Sequence, residues 1–316
     1  MDLSGVRLIP HRPILIMTVK DNLVRFGGVP EHFNAPFQRL LQRQAKEDPA
    51  AEGPQLAWRT YPGGSGAMLN AVISKEVDCA CVLTESAVAH IIKNSSEDAK
   101  DRVKILGTYV ASPLVWGVHA SARRPADSDS NIFGISRMGS GSHIMAQVDN
   151  DNAEGDLRFK VVNSLDGAVE SMAKGEIDYF MWEVFTTKHL VDKGEWKLVR
   201  KVPAPWPAFV FVVSHDISAD RLAAIKEVVI SVHREIERML KDRDMTLNFI
   251  SELYNMSLDD TANWMKNVKW QCNTEVDRAA LGLARDALRD CGIVDKKAEV
   301  KPDELIVTGS CAFVES

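Results

Sequence analysis

The chain has 316 residues, of which 45% are hydrophobic and 26% charged, and its formal net charge is −6. That length gives one large domain or two lobes with a sizeable core, and the acidic balance excludes nucleic acid as the main partner. No apolar run approaches the roughly 20 residues of a membrane helix, so membrane insertion is excluded as an expectation.

The opening MDLSGVRLIPHRPILIMTV lacks the basic head, apolar stretch and small-residue cleavage site of a secretory leader. A cytoplasmic protein is the expectation. Five cysteines, an odd number, fit a reducing compartment. Cys79 and Cys81 alternate along one strand, and no CxxC or Cys/His zinc spacing occurs, so all five read as buried thiols with no metal.

In chain order, Ile14 to Val19 reads as a first strand, and Lys20 to Pro36, with Gly27-Gly28 and His32, begins as a loop. A helix is expected from Ala35 to Ala45, a strand over Gln55–Thr60, a helix over Ala67–Ser74 and a buried strand over Val77–Leu83. Ser86–Lys93 is a helix and Val103–Val110 a strand. Leu114–Ala120, directly after Pro113, is a second strand that crosses between lobes. Then come a strand over Ile132–Ser136, the Gly139–Ser142 loop with its helix, and a strand over Phe159–Val162. Phe185–Val191 is a helix, Trp196–Val202 a strand, Pro203–Pro207 a stiff linker, and Phe209–Ser214 a returning strand. From Ser218 the chain turns helical. Asp220–Lys241 is amphipathic, Thr246–Tyr254 follows, Ser257 caps a third helix, and Thr274–Asp277 resembles a capping box for a fourth. Pro302–Ser316 reads as a tail.

One device occurs twice. Tyr61 to Glu85 reads as a Gly/Ser loop, a helix, a tight joint at Lys75-Glu76-Val77-Asp78 and a strand. Ser140-Gly141-Ser142 opens a second such helix, and Lys174-Gly175-Glu176-Ile177-Asp178 is a second joint before Tyr179–Trp182. Two copies suggest two lobes and a cleft. Asp78 and Asp178 read as turn-fixing residues.

This order resembles an α/β, two-lobed, type II periplasmic-binding-protein-like fold with two crossover strands and C-terminal helices. Val29–Pro36 and Gly63–Leu69 resemble the branch that binds sulfonates, nitrate and thiamine pyrimidines, some members of which are stand-alone proteins. The resemblance spans about residues 12–215 and implies lobe 1 at 1–113 with 208–316, and lobe 2 at 114–207.

Ligands of open α/β sheets bind beyond the carboxyl ends of the strands. The candidate binding residues there are His32, Gly64, Ser65, Gly66, Thr84, Glu85, Ser112, Ser140, Gly141, Ser142, His143, Trp182 and Glu183. The two Gly/Ser loops present free N–H groups and helix dipoles to an anion; the plainer reading is two tight turns. Glu85 and Glu183 suit an amine or aminopyrimidine edge, or else cap the next helix. Trp182 and Trp206 suit stacking on a planar ligand, or else core packing. His32 and His143 offer donors to an anion, or else are structural.

No GxSxG, HExxH, Walker A or kinase set occurs. The expected function is binding of a small anionic, zwitterionic or heteroaromatic molecule in the cleft, without cofactor. Under the resemblance, a thiamine-pyrimidine-synthase-like enzyme is the alternative. It would use pyridoxal phosphate, with Lys20 and His32 in the corresponding loop, but the clustered cysteines of that family are missing. A homo-oligomeric interaction protein, assembled through the C-terminal helices, is a third reading.

Overall fold

Val24 and Phe26 are fully buried while Leu23 is exposed, and this alternation makes Leu23–Gly28 a strand, β1. The expected loop there is corrected. Gly27 and Gly28 end the strand because aromatic rings lie against its backbone, and a Cβ added at Gly28 would meet the Trp58 ring at 2.3 Å. In this computed structural model, residues 22–46, 53–96, 99–125, 130–150, 157–298 and 300–315 are described. The expected strand at Ile14–Val19 and Lys20 lie outside them.

After β1 and a short 3-10 turn at His32–Asn34 come α1 (Ala35–Gln44), β2 (Gln55–Thr60), α2 (Gly64–Ile73), β3 (Cys79–Leu83) and α3 (Thr84–Lys93). β4 (Val103–Ser121) is followed by β5 (Ile132–Ile135), α4 (Gly141–Asn150), β6 (Arg158–Val161), α5 (Leu165–Ala173), β7 (Tyr179–Glu183) and α6 (Lys188–Asp192). β8 (Trp196–Ser214) leads to α7 (Ala219–Lys241), α8 (Arg243–Tyr254), α9 (Leu258–Met265), β9 (Glu275–Asp277), α10 (Arg278–Asp290), α11 (Pro302–Leu305) and β10 (Ala312–Val314).

Eight strands form one mixed sheet in the order β2-β1-β3-β8-β4-β7-β5-β6. At one side β1 lies parallel to β2 and β3, and at the other β5 lies parallel to β6 and β7. Between them, β4 and β8 run antiparallel to each other over their whole length. The separate strands expected on either side of Pro113 and of Pro203–Pro207 are thus two continuous strands of 19 residues each. Proline fits there because the ladder is irregular, with register shifts on both sides of Pro113, so the missing N–H disturbs no regular pairing.

The doubled device is real at the level of hydrogen bonds. The Arg25 N–H donates to Asp78 at 2.8 Å, and the Ile132 N–H donates to Asp178 at 2.8 Å. Each aspartate thus pins the start of the neighbouring parallel strand, β1 or β5. Lys75 and Gly175 both turn the chain at positive φ, +61° and +68°. α2 begins at Gly64, earlier than expected, so Gly64-Ser65-Gly66 is its first turn rather than a preceding loop.

The C-terminal helices pack back on the first side of the sheet. Ser218 caps α7 by accepting from the Arg221 N–H, and the buried stripe Ile225, Val228, Val229, Val232, Ile236 and Met239 meets α1 and the core. Ser257 caps α9 as expected. The expected capping box at Thr274–Asp277 is instead strand β9, which pairs with β10. Asp277 alone caps α10, accepting from the Ala279 and Ala280 N–H groups. Cys79, Cys81, Cys272 and Cys311 are buried free thiols. Among the described residues no helix is long and apolar enough to cross a membrane.

Candidate functional site

The carboxyl ends of β1, β3 and β7, the first turn of α2 and the β5–α4 loop converge on a cavity with about 460 Å³ of empty space, its mouth included. Its walls come from both sides of the sheet. Val29, Glu31, Gly64, Ser65 and Leu83 face Ser136, Arg137, Ser140, Gly141, Ser142, Trp182 and Glu183. Leu114, Trp116 and Phe209, from the two long strands, form the floor.

One side of the cavity is built to receive negative charge. Ser65 lies in the first turn of α2, and Ser140-Gly141-Ser142 open α4, so two helix N-termini face the space. The Leu83 N–H donates to Ser65 Oγ at 3.1 Å, and the Ser136 N–H donates to Ser142 Oγ at 3.1 Å. Each bond fixes a hydroxyl at the cavity wall; Ser65 keeps its hydrogen to donate, while Ser140 and Ser142 bond each other at 3.0 Å and keep one hydrogen between them. The Trp116 indole N–H is buried and has no partner. Arg137 reaches across, its Nη1 donating to the Gly63 carbonyl at 3.2 Å. Gly141 lies so close to the facing wall that an added Cβ would meet Leu83 at 2.5 Å, so the two sides are closed upon each other.

Different loops supply the other side. Glu31 and Glu183 are 7% and 3% exposed. Burial, reinforced by the neighbouring Glu183, pushes the Glu31 carboxyl up to about 8. Burial pushes Glu183 up to about 7, although it accepts from the Phe185 and Thr186 N–H groups and the Thr186 hydroxyl. His32 Nε2 lies 3.7 Å from Glu183, too long for a hydrogen bond. Burial drives His32 down to about 3, so it is uncharged at neutral pH and forms no ion pair with Glu183.

Of the thirteen candidate residues, Gly64, Ser65, Ser140, Gly141, Ser142, Trp182 and Glu183 line this cavity. The others are placed elsewhere. Thr84 donates to the Pro207 carbonyl at 2.5 Å and is fully buried. Glu85 accepts from the Trp206 indole N–H at 2.8 Å, which also puts Trp206 in the core rather than against a ligand. Ser112 accepts from the Lys269 N–H, away from the cavity. His143 accepts from the Gly139 N–H at 2.9 Å and packs edge-on to Phe159, so it braces the loop from behind. Gly66 faces the Arg137 guanidinium outside the cavity, and His32 is packed against Phe33 and Trp264 behind Glu183. Arg137, Glu31 and Trp116 were not among the candidates. Glu31 stands one position before His32 in the same loop, and its neighbour was the signal available. Arg137 and Trp116 carry no motif.

The profile of the Ca3427-like PBP family matches residues 116–202. The Candida albicans CA3427 gene product, which defines a family with the generic periplasmic binding protein fold, is 28% identical; the match covers 92% of this chain and 95% of that one, with a TM-score of 0.77. The fold is that of the type II periplasmic binding proteins. Two more distant structures share it. The alkanesulfonate-binding protein SsuA from Xanthomonas axonopodis pv. citri, bound to MOPS, is 14% identical over 93% of this chain and 99% of that one, with a TM-score of 0.68. The ligand-binding component of an ABC-type import system from Staphylococcus aureus, with zinc bound, is 12% identical over 92% and 97%, also at 0.68. No curated protein matches the chain.

Among the described residues no group of three or more His, Cys, Asp or Glu side chains is placed to hold a metal ion. No lysine lines the cavity, and Lys20 lies outside the described residues.

Proposed function

We propose that this protein binds a small zwitterionic acid. The acid group lies at Ser65, Ser140, Ser142 and Arg137, and a basic or heteroaromatic nitrogen faces Glu31 and Glu183. The observation that carries the reading is the polarity of the cavity. Two helix N-termini, an arginine and an unpartnered indole N–H share one space with two buried carboxyls. A simple anion would use only the first set and bring no positive charge to Glu31 and Glu183. A cation beside them lowers the free energy of their charged forms and displaces their protons. Trp116, Trp182, Leu114 and Phe209 enclose the apolar body of the ligand.

Two lobes, residues 1–113 with 208–316 and residues 114–207, open and close by flexing of β4 and β8 near Ser112-Pro113 and Pro205–Ala208. The MOPS held by SsuA is a sulfonate joined to a morpholine nitrogen, the same combination of groups.

The test is isothermal titration at pH 7 with MOPS and with propane-1-sulfonate, in two buffers of different ionisation enthalpy. MOPS is expected to bind at least about tenfold more tightly and to release protons, since one charge-assisted contact in a dry site is worth that much. Equal affinity without proton release overturns the zwitterion reading.

A further inference from the structure

Beyond Arg137 a second, wider depression opens to solvent. It lies between α2, α3 and the β5–α4 loop, and encloses about 1100 Å³ of empty space, open solvent included. Its polar lining consists of Asn70, Ser86, His90, Lys93 and Arg137, with Ser136 and Asn163 at its edges, and among the described residues contains no Asp or Glu. Two cations therefore share a concave surface with no carboxylate among its described lining residues. Lys93 is exposed, and its ammonium leans toward the loop, 3.6 Å from where a Cβ on Gly139 would be. Its charge lowers the pKa of His143 on the other side of that loop, in addition to burial.

The second observation is Ser86. It is 3% exposed and lines the depression, and its hydroxyl oxygen, buried beneath the surface, has no hydrogen-bond partner among the described residues. Buried hydroxyls nearly always have one, so an orphan marks a place where a partner is missing. The positions of Ser86, Lys93 and Arg137 around one space fit a ligand that accepts hydrogen bonds from several directions and carries negative charge.

We infer that this outer groove is a second anion site, separate from the enclosed cavity, and that it takes a free tetrahedral oxyanion such as phosphate or sulfate on Lys93, Arg137 and Ser86. Ser136 and Arg137 line both spaces, while Lys93 and Ser86 belong to the outer one only. This inference does not depend on what the inner cavity holds.

Titration with inorganic phosphate, at ionic strength held constant with chloride, tests it in the wild type and in Lys93→Gln, Lys93→Arg, Ser86→Ala and Ser65→Ala. Expected are one phosphate per chain, competition by sulfate, and a loss of about tenfold or more in Lys93→Gln, the size of one charge-assisted contact. Lys93→Arg restores most of the affinity, Ser86→Ala weakens it, and Ser65→Ala, which alters only the inner cavity, leaves it unchanged. The site is overturned by a wild type that binds no phosphate, or by Lys93→Gln binding as tightly as wild type. It is equally overturned if Ser65→Ala alone loses affinity, because the anion is then inside the cavity.

Discussion

The guanidinium of Arg137 occupies the space that a side chain at residue 66 would need: a Cβ added to Gly66 would sit 2.2 Å from Arg137 Cζ. Gly66 lies on α2, just outside the cavity, with Arg137 in the β5–α4 loop opposite, and the same guanidinium donates to the Gly63 carbonyl. A missing methyl group on α2 thus makes room for the one arginine that crosses the mouth.

Gly66→Ala is expected to displace Arg137 and favour the open arrangement. The fold itself should gain, because alanine inside a helix is favoured over glycine by about 0.5–1 kcal/mol, and the clashing atoms are the end of a flexible side chain. Small-angle scattering should show a larger radius of gyration while the melting temperature holds or rises. A fall of several degrees would show that Gly66 has a structural duty beyond admitting Arg137.

Stability should fall as the pH rises from about 7 to about 8. Glu31 has a folded pKa near 8 against an ordinary value of 4.5. Between those values the folded chain keeps a proton that the unfolded chain has released, so raising the pH favours unfolding. Glu85 and Glu183 act in the same direction but level off near their values of about 7. His32 and His119, lowered by burial to about 3 and about 4, act oppositely, and only below about pH 6.5. Urea midpoints at pH 6.5, 7.5 and 8.5 should therefore decline in wild type and decline less in Glu31→Gln. A flat wild-type profile would mean that Glu31 is already charged at neutral pH.

Trp206→Phe should destabilise the protein by about 1–3 kcal/mol, the usual consequence of leaving a buried polar group without its partner. The indole N–H is the donor to Glu85 Oε2, and Oε1 of the same carboxyl already has no partner. Restoration by Trp206→Phe combined with Glu85→Leu, read from denaturant midpoints, would confirm the pairing; additive losses would refute it.

Asp78→Ala should cost more stability than Asp178→Ala. Both aspartates hold a backbone N–H of a neighbouring parallel strand, Arg25 in β1 and Ile132 in β5. Asp78 also pairs with the guanidinium groups of Arg25 and Arg221, which its removal would leave facing each other. Asp178 additionally takes the Ser130 hydroxyl at 2.6 Å and lies 3.5 Å from Arg124. Chemical denaturation of the two variants side by side decides the order, and equal losses would mean that the arginines add nothing.

The duplicated joints were legible because their chemistry is local. A turn residue at positive φ and an aspartate three positions on follow from short-range sterics and hydrogen bonding, so Lys75 to Asp78 and Gly175 to Asp178 stand out from the sequence. The strand Gln55–Thr60 has the expected limits for the same reason. What failed was long-range. Pro113 and Pro207 read as breaks, yet they face each other in an irregular stretch of the β4–β8 ladder, where neither needs to donate. Gly27-Gly28 read as a loop because the reason for both glycines, the rings of Tyr61 and Trp58, lies on the next strand and its following turn. In the cavity, serines at helix starts were visible, whereas Arg137 was not. A lone arginine in a loop signals nothing until the opposite wall is in place.

The pairing of β4 with β8 also dictates an order of assembly. Ser121 pairs with Trp196 and Val103 with Ser214, so residues 103–214 form one long hairpin whose excursion, with β5, β6 and β7, closes upon itself. That stretch holds its own partners and can fold as soon as it is complete. β3 cannot. It lies between β1 and β8, and its pairing from Cys79–Val213 to Leu83–Phe209 waits for the last part of the hairpin. On a chain emerging from the ribosome, the CACVL strand therefore presents a bare apolar edge through the synthesis of everything between. Any slowing of translation within residues 103–208 lengthens that exposure.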